Sequence, residues 1–265
     1  MTERRRCDTL RQKDWTGTAL WRAAAPTKQS AKKLRIFQVK GQSIFKLPEV
    51  LIFMLYFVLL LELIGSAAFA VSGAMTGLKK RMDVFGICVM GVVTACGGGV
   101  LRDLFLGVLP PVMFREPVYA VTAICTSVLI FIAAAKGVFR KQELLFEKII
   151  FLADSIGLGI FTASGAAITI QAGYGDNFFF CVFLGTITGV GGGVIRDTLA
   201  GDPPYIFVKH IYACASIAGA AVCTLLWPYA GQTAAMLLCL AVVFTIRMLA
   251  AKFRWSLPKA VQPGE

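Results

Sequence analysis

Gly91-Val92-Val93-Thr94-Ala95-Cys96-Gly97-Gly98-Gly99-Val100-Leu101-Arg102-Asp103 returns later in the chain as Gly185-Thr186-Ile187-Thr188-Gly189-Val190-Gly191-Gly192-Gly193-Val194-Ile195-Arg196-Asp197. The likeness extends in both directions. Downstream, Gly107, Pro110-Pro111, Phe114 and Tyr119 have counterparts in Gly201, Pro203-Pro204, Phe207 and Tyr212, and the proline pairs read as turns. Upstream, Glu62, Gly65, Phe69 and Ser72-Gly73-Ala74 match Asp154, Gly157, Phe161 and Ser164-Gly165-Ala166. Self-similarity of this length marks a duplicated structural unit.

The units sit in a strongly apolar chain. Of its 265 residues 57% are hydrophobic and only 16% charged, and the mean hydropathy is +0.72. Soluble domains carry about 25% charged residues. The composition therefore excludes an ordinary soluble domain, a disordered chain and a nucleic-acid binder. A spanning helix needs about 20 apolar residues. Hydropathy places seven, at roughly 50–74, 84–109, 117–135, 149–171, 178–200, 210–228 and 232–250.

Three spans fall in each unit, at 50–140 and 145–230, and a seventh at 231–252. An odd number of spans makes the second copy enter the membrane from the opposite side. The expected fold is an all-α integral membrane protein of two inverted three-helix repeats plus one helix. Proteins built this way place their path at the repeat interface, near the midplane.

The net charge of +12 is concentrated in residues 1–46, a basic extension read as disordered and lacking the apolar core of a signal peptide. Met54 is read as an alternative start. Across the body, lysines and arginines in connections such as Lys79-Lys80-Arg81 gather on one side with the basic tail at 253–265, against Arg115 on the other. Positive charge marks the cytoplasmic side, so the N-terminus is expected outside and the C-terminus inside. Lys79-Lys80-Arg81 reads as a topology signal, with anionic membrane lipids as its further contact. The eight cysteines form no C-x-x-C pair, and there is one histidine, His210, read as interfacial. That pattern supplies no disulfide framework and no metal or cofactor site.

Three glycines within a span weaken the helix by about 1 kcal/mol each relative to alanine. Gly97, Gly98, Gly99 and Gly191, Gly192, Gly193 are thus expected to break the second and fifth helices and line a pore or binding site; the competing reading is close packing by small residues. Arg102, Asp103, Arg196 and Asp197 follow each break, and charges at this depth face a bundle interior or a cavity. Adjacent residues point about 100° apart on a helix, so crossed pairs are expected, Arg102 with Asp197 and Arg196 with Asp103. Glu62 and Asp154 form a second symmetric acidic pair that could line a cation vestibule. With no nucleophile–base pair, the chain is not read as an enzyme.

The paired G-x-x-T-x-x-G-G-G-x-x-R-D segments, the paired Ser-Gly-Ala motifs and the three-plus-three-plus-one layout resemble the prokaryotic trimeric intracellular cation channels, also classed as glycine-transporter-type domain proteins. The resemblance spans about residues 54–256. It implies a homotrimer in the bacterial inner membrane, with a pore in each subunit bounded by kinked second and fifth helices. It implies passive, potassium-permeable conduction, with the glycines as kinks and the adjoining Arg and Asp near the pore. Residues 1–46 lie outside it, and the Lys-Glu-Val lipid-binding signature of the animal members is not recognisable. The alternative is a secondary transporter of glycine or a similar zwitterion, its carboxylate held by Arg102 or Arg196.

Overall fold

A computed structural model describes residues 49–138, 143–208 and 211–255. The basic extension, Arg140-Lys141, Lys209-His210 and the tail beyond Trp255 lie outside the described residues.

The described chain is helical throughout. Six helices are long and apolar enough to cross a membrane: α1 (Glu49–Lys79), α2 (Val84–Phe105), α4 (Val118–Ala135), α5 (Glu143–Thr169, continued by a π-turn at Ile170–Tyr174), α6 (Phe178–Leu199) and α8 (Tyr212–Phe253). Two single-turn helices, α3 (Val112–Arg115) and α7 (Tyr205–Val208), follow α2 and α6 at equivalent places in the two units.

Local sequence sets these limits. Asp83 caps α2 by accepting from the Gly86 N–H, and Asn177 caps α6 through the Phe180 N–H. Gly107 and Gly201 end the same helices with φ of 69° and 70°, a left-handed conformation that glycine adopts without a Cβ penalty. At 42 residues α8 would be about 63 Å long at 1.5 Å per residue, twice a hydrocarbon core. The helix is interrupted at Gly231 (φ 74°, ψ 172°), three residues after Pro228. Gly219 lies against Cys239 and Val243, so the chain doubles back at Gly231 into two antiparallel rods.

The expected breaks at the glycine triplets are absent. Both α2 and α6 run through them as uninterrupted α-helix. Packing explains why. A Cβ at Gly98 would sit far inside the radius of the Thr188 carbonyl oxygen, and one at Gly192 far inside that of Thr94. At Gly97 it would meet Ile195 at 2.9 Å, and at Gly191 it would meet Leu101 at 2.9 Å. The glycines permit backbone-to-backbone contact, as small residues do between membrane helices. That contact replaces the lost helix propensity.

The contact is reciprocal, Thr94 to Gly192 and Gly98 to Thr188, so equivalent positions of the two units meet one another. Phe69 and Phe161, also equivalent positions, stack at 5.3 Å. The Ser-Gly-Ala motifs are explained alongside: Gly73 admits the Thr94 side chain and Gly165 that of Thr188. On one face, Lys79 pairs with Glu147 at 3.0 Å and Lys80 with Asp202 at 2.6 Å, joining the end of α1, the start of α5 and the turn after α6.

Candidate functional site

Both conspicuous Arg-Asp dipeptides lie in the last turns of α2 and α6, and the expected crossed pairs do not form. Asp103 Oδ1 accepts from Arg102 Nε at 2.9 Å and from Nη2 at 2.8 Å. Asp197 Oδ1 accepts from Arg196 Nε at 2.8 Å. The arginine stem is long enough to bend round the angular gap that Cβ directions put between neighbours. Each aspartate keeps its second oxygen for the turn that follows: Val112 N donates to Asp103 Oδ2 at 2.8 Å, and Tyr205 N to Asp197 Oδ2 at 2.9 Å. Asp103 and Asp197 thus neutralise an arginine and fasten α3 or α7 beneath the helix end.

The remaining acids are reached across the repeat boundary. Glu62 on α1 accepts from the Tyr119 hydroxyl at 2.7 Å and, in a short hydrogen bond, from Ser164 of the other unit's Ser-Gly-Ala motif. Asp154 on α5 accepts from Arg196 Nη1 at 2.6 Å, and the same nitrogen donates to Ser72 of the first unit's motif at 2.5 Å. Each motif serine therefore serves the acidic cluster of the opposite repeat, directly in one case and through an arginine in the other.

Here the two-fold likeness ends. On the first-repeat side, Glu62, Ser66, Gly99, Arg102, Asp103 and Tyr119 border a cavity of about 90 Å³, space for several waters. Two carboxylates face one guanidinium, a formal charge of −1. On the second-repeat side, Asp154, Arg196, Asp197 and Tyr212 are all at most 3% exposed, and Arg247 joins them with Nη2 3.8 Å from Asp154 Oδ2. The charges there balance, two against two.

Of the expected site residues, Glu62, Gly99, Arg102 and Asp103 converge on the cavity. Asp154, Gly193, Arg196 and Asp197 converge on the filled cluster. Gly97, Gly98, Gly191 and Gly192 belong to the helix crossing instead. Sequence reasoning missed three side chains. Tyr119 and Tyr212 were matched in the repeat yet given no role. Arg247 falls inside the seventh span and is 3% exposed; an arginine in an apolar span was the available signal.

The glycine transporter family matches the chain twice, over residues 59–135 and 151–228. The chain belongs to this family. The double match coincides with the two units. Its relatives carry membrane-protein names: the chain is 37% identical over 200 residues to the UPF0126 inner membrane protein YadS of Escherichia coli K12, covering 74% of this chain and 92% of that one. It is 42% identical over 171 residues to a UPF0126 membrane protein of Deinococcus radiodurans, covering 64% and 76%.

Among solved structures, a prokaryotic TRIC channel crystallised in 0.5 M KCl is similar with a TM-score of 0.70 and 31% identity, over 76% of this chain and 99% of that one. The TRIC orthologue from Rhodobacter sphaeroides gives 0.68 and 30%, over 75% and 98%. The family, the six apolar helices and the bacterial inner-membrane relatives together make this a multi-pass membrane protein.

Proposed function

We propose that the protein is a passive, potassium-permeable cation channel, a homotrimer with one pathway inside each protomer at the interface of two inverted repeats. In this reading, 212–230 and 232–253 are separate spans and the chain crosses seven times, N-terminus outside and C-terminus cytoplasmic. The observation that carries the proposal is the cavity beside Gly99, in which Glu62 and Asp103 outweigh Arg102. An arginine beside a cation path would repel its ions. Here Arg102 is neutralised by its own neighbour, which leaves the Glu62 carboxylate as the charge the path presents. The likeness to TRIC cation channels supports the same reading.

Transport of glycine is the second reading, favoured by Glu62 and Arg102 lining one small space that could receive a zwitterion. Against it, Arg102 already commits its Nε–Nη2 edge to Asp103, which leaves one edge of the guanidinium for a carboxylate. Purified protein in planar bilayers under a potassium gradient, beside labelled glycine uptake in liposomes, decides between them. Discrete current steps without saturable uptake are expected. Saturable uptake without steps would establish the transporter.

A further inference from the structure

Serine and threonine inside a helix can donate to the carbonyl one turn back. Thr76, Thr94, Ser127, Ser155, Thr188 and Thr224 all do so here. Ser66 has the same option in the Glu62 carbonyl, yet its hydroxyl has no partner among the described residues. It is 1% exposed and borders the first-repeat cavity. The duplication does not require a hydroxyl at this place, since its counterpart is the fully buried Leu158. A buried hydroxyl left unpaired costs about 1–3 kcal/mol, a cost that a ligand in the cavity offsets.

The rest of the cavity says what kind of ligand. Glu62 lies one helical turn before Ser66 on α1, so the two side chains share a face. Tyr119 and Ser164 each donate to one Glu62 oxygen, and lone pairs remain on both oxygens and on the Tyr119 hydroxyl. Arg102 is neutralised by Asp103, so the cavity keeps one negative charge. The facing wall is apolar, with Ala95, Val100, Phe161 and Ile168. Oxygen donors suit a hard cation. One net charge and few protein oxygens suit a monovalent ion that keeps part of its water, whereas calcium takes about six to eight oxygens.

We infer that Ser66 Oγ, the Glu62 carboxylate and Tyr119 Oη form a coordination site for a partly dehydrated monovalent cation. Ser66 sets how much water the ion sheds there. The inference rests on the channel reading above and adds to it a residue that discriminates between cations. Potassium sheds water more cheaply than sodium, so a protein oxygen that replaces a water favours potassium.

Thallous ion, a monovalent cation close to potassium in size, scatters X-rays anomalously and makes the site visible. Crystals of the full chain soaked in thallous nitrate are expected to show an anomalous peak between Glu62 and Ser66. Crystals of Ser66→Ala are expected to lose it. The hydroxyl has no protein partner, so alanine breaks no bond and the fold should stand. No peak in the unaltered protein, or an equal peak in the alanine variant, would overturn the site.

Bi-ionic potentials in planar bilayers read the same residue through flux. The potassium-over-sodium permeability ratio is expected to fall about twofold in Ser66→Ala. It should stay near the parent value in Ser66→Thr, which keeps the hydroxyl. A serine with only a structural role would leave the ratio unchanged in both variants, and that result too would overturn the inference. Absence of current from the unaltered protein would instead sink the channel reading itself, which keeps the two failures apart.

Discussion

Gly98→Ala is expected to destroy the packed fold, while Gly99→Ala, one residue on, is expected to leave it standing. Helix propensity alone predicts stabilisation by both, since alanine exceeds glycine by about 1 kcal/mol in a helix interior. The crossing of α2 and α6 reverses the sign at position 98. The obstacle there is the Thr188 carbonyl oxygen, with the Gly192 nitrogen a further 3.4 Å neighbour. Backbone atoms of a hydrogen-bonded helix yield only if the whole helix shifts. Overpacking costs about 1–3 kcal/mol where side chains can adjust and more where they cannot, a large share of a total stability near 5–15 kcal/mol. At position 99 the nearest atom to a new Cβ is Arg102 Nη2, at 3.8 Å. Gly192→Ala should match Gly98→Ala, because the contact is reciprocal. Size-exclusion profiles after a temperature ramp in detergent check this: a loss of the folded peak at position 99 equal to that at 98 would show that the glycines are not there for the crossing.

Arg196→Met should destabilise the protein by about 3–5 kcal/mol, the range for removing one partner of a buried ion pair. Its guanidinium is 1% exposed and holds three groups from three helices: Asp197 on α6, Asp154 on α5 and Ser72 on α1. Without it two carboxylates remain against Arg247 alone. Arg196→Lys is expected to recover little, because a single ammonium cannot serve the divergent partners that the planar fork reaches. Adding Asp154→Asn to Arg196→Met restores the charge balance and should recover part of the loss. Thermal midpoints of the single and double variants measure this; equal midpoints for Arg196→Met and the parent would remove Arg196 from the structural core.

These residues also mark what the sequence could and could not convey. Spans and duplication were legible because apolar runs and the repeated G-G-G-x-x-R-D are local patterns, and the family match falls on the same two segments. The π-turn after Thr169 and the reversal at Gly231 were covered by span ends placed only from hydropathy. The meaning of the glycines was not legible, because a triplet that breaks a helix and one that lets two helices touch have the same composition. Only the partner backbone decides, and Thr188 lies ninety residues from Gly98 along the chain. The ion pairs are hidden for a different reason: Cβ directions do not give the reach of arginine, whose stem spans the gap to the next residue. The difference between the two clusters was hidden because Arg247, which joins only the second, lies outside the repeated pattern.

The central claim is that cations pass the Glu62 carboxylate in the first-repeat cavity, and single-channel recording of Glu62→Gln in symmetric potassium chloride tests it most directly. Glutamine keeps the shape of the side chain; its amide oxygen can accept from one of the Tyr119 and Ser164 hydroxyls and its NH2 can donate to the other, so the fold should survive. The charge is lost, and unitary conductance is expected to fall about tenfold or more, since a desolvated path depends on fixed charge to lower the entry barrier. Unchanged conductance and cation preference in a correctly assembled Glu62→Gln protein would contradict the claim and place the path elsewhere.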